Sequence, residues 1–230
     1  MTPEMAFECV VVSHDPALFS TLDRTLQDLS IHTNVCTSPS TALNVLAEGS
    51  TDLVVIDWEG ESSSELLNQI REFAKWRKPT IVAISPTDRA FPGVHVVVRK
   101  PVTPESGTKS LKTAYSRMLQ DYRKHTRFAL MTRVMASDEN KRAFGVIVTD
   151  IGEGGVGLAT NEKLTIGSIV SFPLPLPGLT RAIEIEARVL WTRSYGVAGC
   201  EFACIPTANL QVLRAWLESR YRFKKPLIPV

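Results

Sequence analysis

Residues 8–100 alternate between short apolar runs and amphipathic stretches, and this alternation strongly constrains the fold. Five apolar runs have the length of strands, at residues 9–12, 33–36, 53–56, 80–84 and 94–98. Between the first two runs, leucines recur at helical spacing, at Leu18, Leu22, Leu26 and Leu29. Strands that alternate with helices form a parallel sheet covered on both faces. We therefore predict a flavodoxin-like α/β domain over residues 1–120, ending in a helix at about residues 104–119.

One connection in this domain is too short for the usual crossover helix. Between Ser85 and the strand that starts at Val94 lie eight residues, which include two prolines and a glycine. Proline interrupts a helix, and a full helix needs more residues than this segment offers. The sequence therefore predicts that the fourth helix of the domain is shortened or missing.

The second half of the chain has the two-residue period of β-strands. Inward positions are predicted at Ile183, Ile185, Ala187, Val189 and Trp191, with charged residues between most of them. Residues 207–221 return to helical spacing, through Leu210, Leu213, Trp216 and Leu217. We predict an all-β domain over residues 121–230, with this last helix plugging or flanking it. The aromatic residue on the helix is expected to be core.

Composition excludes several classes of protein. With 44% hydrophobic and 22% charged residues, the 230-residue chain is typical of globular domains. Charged residues or prolines interrupt each apolar run before it reaches the length of a membrane span, and the N-terminus lacks a signal-peptide pattern. The four cysteines are not clustered with histidines, so buried free thiols are expected and no metal site. These features predict a soluble cytoplasmic protein that does not bind membranes.

The formal charge is distributed unevenly between the two halves. Residues 1–120 carry 11 basic and 14 acidic side chains, whereas residues 121–230 carry 15 and 10. An anionic ligand is therefore attracted to the second half. The excess is small and scattered, and no helix-turn-helix or zinc pattern accompanies it, so DNA binding is not expected.

Two short motifs in the second half point to recognition of an anionic, base-containing ligand. Arg123 and Arg127 lie four residues apart ahead of a predicted strand. A guanidinium group binds phosphate or guanine bidentately and stacks on bases. Downstream, Asp150, Gly152 and Gly155 combine a carboxylate acceptor with a backbone that a ligand can approach closely.

Arg-x-x-x-Arg followed by this Asp-x-Gly-x-x-Gly segment resembles the signature of the PilZ domain, the bacterial receptor for cyclic di-GMP. The resemblance continues through the segments 158–159, 167–170, 183–191 and 199–202. It implies a six-stranded barrel in which Arg123 and Arg127 bind phosphates and guanine faces. Asp150 is then expected to accept from a guanine edge, and Gly152 and Gly155 to allow close approach. Gly152 replaces the family's serine, which removes a hydrogen bond worth about 0.5–1.5 kcal/mol.

The first half resembles a response-regulator receiver domain. Asp57 at the end of a strand, Ser85, and Lys100 followed by Pro101 match that family's phosphoacceptor, hydroxyl and lysine positions. Where receivers carry the acidic pair that holds Mg²⁺, this chain has Ser13 and His14. The resemblance therefore implies a pseudo-receiver in which phosphorylation of Asp57 is not supported.

Together these features predict a non-enzymatic receptor without a cofactor, in which cyclic di-GMP binding is relayed to an unidentified protein partner. No nucleophile–base pairing indicates an enzyme. Two alternatives stay open: a PilZ-like module that acts without nucleotide, and a response regulator phosphorylated on Asp57.

Overall fold

The computed structural model of the protein describes residues 6–49, 51–73, 78–221 and 226–230. The chain divides into two units: residues 1–120 together with residues 222–230, and residues 121–221. No helix among the described residues is long and apolar enough to cross a membrane.

The first unit contains a five-stranded parallel sheet with helices between most strands. Its elements are β1 Phe7–Val12, α1 Pro16–Asp28, β2 Ile31–Cys36, α2 Pro39–Glu48, β3 Leu53–Asp57, α3 Glu61–Phe73, β4 Thr80–Ser85, β5 Val96–Arg99 and α4 Pro104–His125, of which residues 121–125 belong to the second unit. The strand order is β2-β1-β3-β4-β5, which is the flavodoxin-like order. The predicted receiver-like fold is therefore confirmed.

The connection between β4 and β5 contains no helix, as its prolines and glycine predicted. The side chain of Phe91 in this connection stacks on Trp58, with 4.1 Å between the ring centroids. Trp58 directly follows Asp57 at the end of β3. The aromatic pair thus packs the short connection against the end of that strand.

Helix α4 extends six residues beyond the predicted end near Leu119 and includes Arg123 in its last turn. Arg123, Lys124 and His125 are basic, and cations are favourable at the C-terminal end of a helix dipole. The helix ends where the amide and the hydroxyl of Thr126 both donate to the carbonyl of Tyr122, each at 2.8 Å. The arginine segment is therefore partly helical in this structure, and only its second arginine lies beyond the helix.

The second unit is a closed six-stranded barrel followed by a helix, as predicted. Its elements are β6 Phe128–Ser137, β7 Ala143–Gly152, β8 Gly155–Ala159, β9 Ile169–Leu174, β10 Ile183–Arg193, β11 Val197–Cys204 and α5 Thr207–Glu218. The strand order around the barrel is β10-β11-β8-β7-β6-β9. The ring closes between β6 and β9, where Ser137 pairs with Ser171.

Helix α5 packs into the barrel core. Leu213, Trp216 and Leu217 are buried in the same apolar cluster as the inward side chains of the strands. The indole N–H of Trp216 donates to the carbonyl of Pro177 at 3.0 Å, so the one polar group of this side chain is satisfied. The predicted core role of this helix is confirmed.

Two side chains near the irregular pairing of β10 with β11 differ from the prediction. Trp191 was expected to point inward with Val189, but a register shift between the two turns it outward. Cys204 was expected to be buried like Cys200, but it is exposed, beyond a second shift at Glu186. Bulges add a residue to one strand and reverse the faces that follow, which a strict two-residue period does not predict.

Candidate functional site on the barrel

An exposed ion pair on the outside of the barrel joins two of the predicted ligand residues. Arg127 immediately precedes β6, and Asp150 lies on β7, where it pairs with Ala129 of β6. The Nη1 atom of Arg127 is 3.6 Å from Oδ1 of Asp150. The other carboxylate oxygen accepts from the hydroxyl of Thr149 at 2.8 Å. Because 44% of the arginine and 35% of the aspartate side chain are exposed, both groups are accessible to a ligand.

Gly152 ends β7 directly beneath the arginine segment. A Cβ atom at this position would lie 2.7 Å from the carbonyl oxygen of Thr126 and 2.9 Å from Cδ of Arg127. Both distances are shorter than normal van der Waals contacts. The absence of a side chain at Gly152 therefore lets the backbone before Arg127 pack against β7.

Gly155 starts β8 and pairs with Gly152 across the hairpin formed by Glu153 and Gly154. A Cβ atom on Gly155 would collide with the carbonyl of Cys200 on β11. Close packing of two strands thus accounts for this glycine. Direct contact of Gly155 with a ligand stays a prediction.

Arg123, the other predicted arginine, is held by the C-terminal helix. Its Nη2 atom is 2.6 Å from Oε1 of Glu218, the last residue of α5. Its guanidinium carbon also lies 5.9 Å from the ring centroid of Tyr221. The structure therefore brings Arg127, Asp150 and Gly152 together and places the side chain of Arg123 on α5.

Three residues that the sequence analysis did not single out follow Asp150 across the paired strands of the barrel. Strand pairing places Gly157 of β8 beside Asp150, Gly199 of β11 beside Gly157, and Trp191 of β10 beside Gly199. A Cβ atom on Gly157 would overlap the Asp150 carboxylate, and one on Gly199 would overlap the indole of Trp191.

The Asp150 carboxylate therefore packs over Gly157 and the Trp191 indole packs over Gly199, so both glycines are buried and the indole stays 42% exposed. Arg193 lies over this indole at 5.0 Å. A carboxylate acceptor and a partly exposed aromatic face on the outside of one barrel suit a flat, polar ring. The sequence contained one signal for this arrangement: glycines at outward strand positions, where another group can approach the backbone closely.

In the first unit, Asp57 is buried and both of its carboxylate oxygens have partners. The hydroxyl of Ser13 donates to Oδ2 at 2.9 Å, and the ammonium group of Lys100 forms an ion pair with Oδ1. Ser13 therefore presents a hydrogen-bond donor to Asp57.

Asp15, the nearest remaining acid along the chain, has a different role. It is the N-cap of α1 and accepts from the amide of Ala17 at 2.9 Å. Among the residues that the structure describes, no group of three or more His, Cys, Asp or Glu side chains is placed to hold a metal ion.

The family model of the PilZ domain matches residues 121–219. The N-terminal half is similar to receiver domains of known structure. The chemotaxis response regulator CheY4 of Vibrio cholerae is 16% identical over 48% of this chain and 99% of its own, with a TM-score of 0.42. A CheY-like receiver domain from Methylobacillus flagellatus is 20% identical over 50% and 99% of the two chains, with a TM-score of 0.43. No curated protein matches the chain.

Proposed function

We propose that residues 121–219, which match the family model of the PilZ domain, are a non-enzymatic receptor that binds cyclic di-GMP on the outer face of the barrel. The observation that carries this proposal is the exposed Arg127–Asp150 pair, together with the partly exposed indole of Trp191 on the same barrel. In the proposed complex the Arg127 guanidinium binds a phosphate or a guanine bidentately. Asp150 accepts from the N–H groups of a guanine edge, and Trp191 offers a stacking face.

Breaking the ion pair between Arg127 and Asp150 costs an incoming ligand little free energy. Exposed pairs contribute about 0–1 kcal/mol, and the 3.6 Å separation of Arg127 and Asp150 exceeds that of a good hydrogen bond. A phosphodiester can therefore replace Asp150 as the partner of Arg127, which frees the carboxylate for the base. The second half has 15 basic and 10 acidic residues, and this positive excess also favours an anionic ligand.

Calorimetric titration of the intact protein with cyclic di-GMP tests this function. Arg127→Ala is expected to weaken binding by at least about tenfold, because a hydrogen bond to a charged group contributes about 1.5–3 kcal/mol. Arg142→Ala is the matched control: Arg142 forms an exposed ion pair with Glu162 at the opposite end of β7. Strand geometry places it about 25 Å from Asp150. Equal losses in both variants would contradict the assigned site.

A module that acts without nucleotide is the second candidate. The tight packing of Thr126 on Gly152 and the engagement of Arg123 by Glu218 favour it, because both hold the arginine segment in place without a ligand. Absence of any heat on titration, together with an unchanged melting temperature at high ligand concentration, would decide for this alternative. In either case the protein acts through an unidentified protein partner.

The first unit is proposed to act through its surface and not through phosphorylation. The carboxylate of Asp57 forms an ion pair with Lys100 and accepts a hydrogen bond from Ser13. A phosphoryl group or a metal ion would have to displace these contacts to reach the carboxylate oxygens. Phosphoryl transfer depends on a cation that offsets the charge of the phosphate.

A further inference from the structure

Glu218 stands out because its carboxylate pairs with Arg123, an arginine that the resemblance to the PilZ signature assigns to the ligand. The two side chains are 37% and 51% exposed, so solvent and solutes can reach both. A carboxylate and a phosphodiester bind a guanidinium through the same donors. The Nη2 N–H that Arg123 gives to Glu218 cannot be given to a phosphate at the same time, so the two anions compete for this edge of the guanidinium.

Tyr221 fixes the other side of Arg123. Its ring packs against Tyr122 and Phe128, with centroids at 5.8 and 5.5 Å. Its hydroxyl is 3.5 Å from the carbonyl oxygen of Arg123. Burial, reinforced by the charge of Glu153, raises the pKa of Tyr221 to about 12, so the ring is neutral at physiological pH. The anionic partner of the Arg123 guanidinium is therefore Glu218 and not Tyr221.

We infer that Glu218 is a positioning residue of the ligand site: it holds Arg123 on α5 in the free protein and lowers the affinity for the ligand. The inference rests on the proposed cyclic di-GMP function. Ligand binding exchanges the Glu218 carboxylate for a phosphate, and the released end of α5 becomes the part of the barrel domain that responds to the ligand. Exposed ion pairs of this kind shift an equilibrium by up to about fivefold.

Titration of the intact protein with cyclic di-GMP tests this inference through Glu218→Gln, which keeps the shape of the side chain and removes its charge. The affinity is expected to rise about two- to fivefold. Glu162→Gln is the matched control, because Glu162 forms an exposed 2.6 Å pair with Arg142 on the same barrel. That variant is expected to bind like the wild type.

The double variant Arg123→Ala/Glu218→Gln separates positioning of Arg123 from a general charge effect. If Glu218 acts through Arg123, the gain disappears once Arg123 is absent. The gain is also expected to shrink at about 0.5 M salt, where exposed charges are screened. An unchanged or weaker affinity of Glu218→Gln, or a gain that persists without Arg123, overturns the inference while cyclic di-GMP binding itself stands. If neither the wild type nor Glu218→Gln binds, the proposed function fails and the inference fails with it.

Discussion

Gly152→Ser sets two effects of opposite sign against each other. The family resemblance alone suggests that restoring the serine adds a hydrogen bond worth about 0.5–1.5 kcal/mol. In the structure, however, the new Cβ atom would lie 2.7 Å from the Thr126 carbonyl oxygen, a backbone atom that cannot move by itself. Overpacking of this kind costs about 1–3 kcal/mol. We therefore expect the substitution to destabilise the free barrel domain.

Differential scanning calorimetry of the ligand-free protein measures this cost. For a domain of about 100 residues, each 1 kcal/mol lowers the melting temperature by roughly 4–8 °C. Gly154→Ser is the control, because a Cβ atom at Gly154 in the same hairpin meets no atom within 4 Å. That variant is expected to stay within about 0.5 kcal/mol of the wild type. If Gly152→Ser has the same melting temperature as the wild type, the reasoning is refuted. The backbone before Arg127 would then move to accommodate the new side chain with no loss of stability.

Two further predictions concern the two units separately. Trp191→Ala should weaken cyclic di-GMP binding by about 1–3 kcal/mol, the contribution of a base stacked on an aromatic ring. Because this indole also packs on Gly199, its loss should lower the melting temperature as well, so calorimetry first establishes the temperature range in which the variant is folded and titration is carried out within it. Incubation with acetyl phosphate and Mg²⁺ should add no phosphate to the first unit, as measured by intact mass. A stoichiometric gain that is absent in Asp57→Asn would restore the response-regulator alternative.

The order of elements in both units could be predicted because it depends on local periodicity. Apolar runs such as Leu53–Asp57 are buried on both faces, whereas β10 alternates regularly between buried and exposed residues as far as Val189. The missing fourth helix was equally local, since prolines and a glycine determine it within a few residues. These features need no knowledge of distant contacts.

The parts of the site that could not be predicted depend on pairings between distant segments. Glu218 meets Arg123 because α5, which follows all six barrel strands in the sequence, returns to the end of α4. The outward turn of Trp191 depends on a bulge in its pairing with β11, which neither strand encodes alone. The use of Asp15 as a helix cap was local and could have been inferred from the proline that follows it.

The closure of the barrel between β6 and β9 has a consequence for how the domain can adapt. Among the described residues, this seam is formed by the pairing of Ser137 with Ser171, whereas β7, β8 and β11 have longer ladders on both sides. Backbone amides exchange through local openings, which occur most readily where few interactions must break. Breathing motions of the ring are therefore expected to concentrate at the seam. Asp150 and Gly157 lie on strands with longer ladders, so this part of the wall is expected to open less readily than the seam.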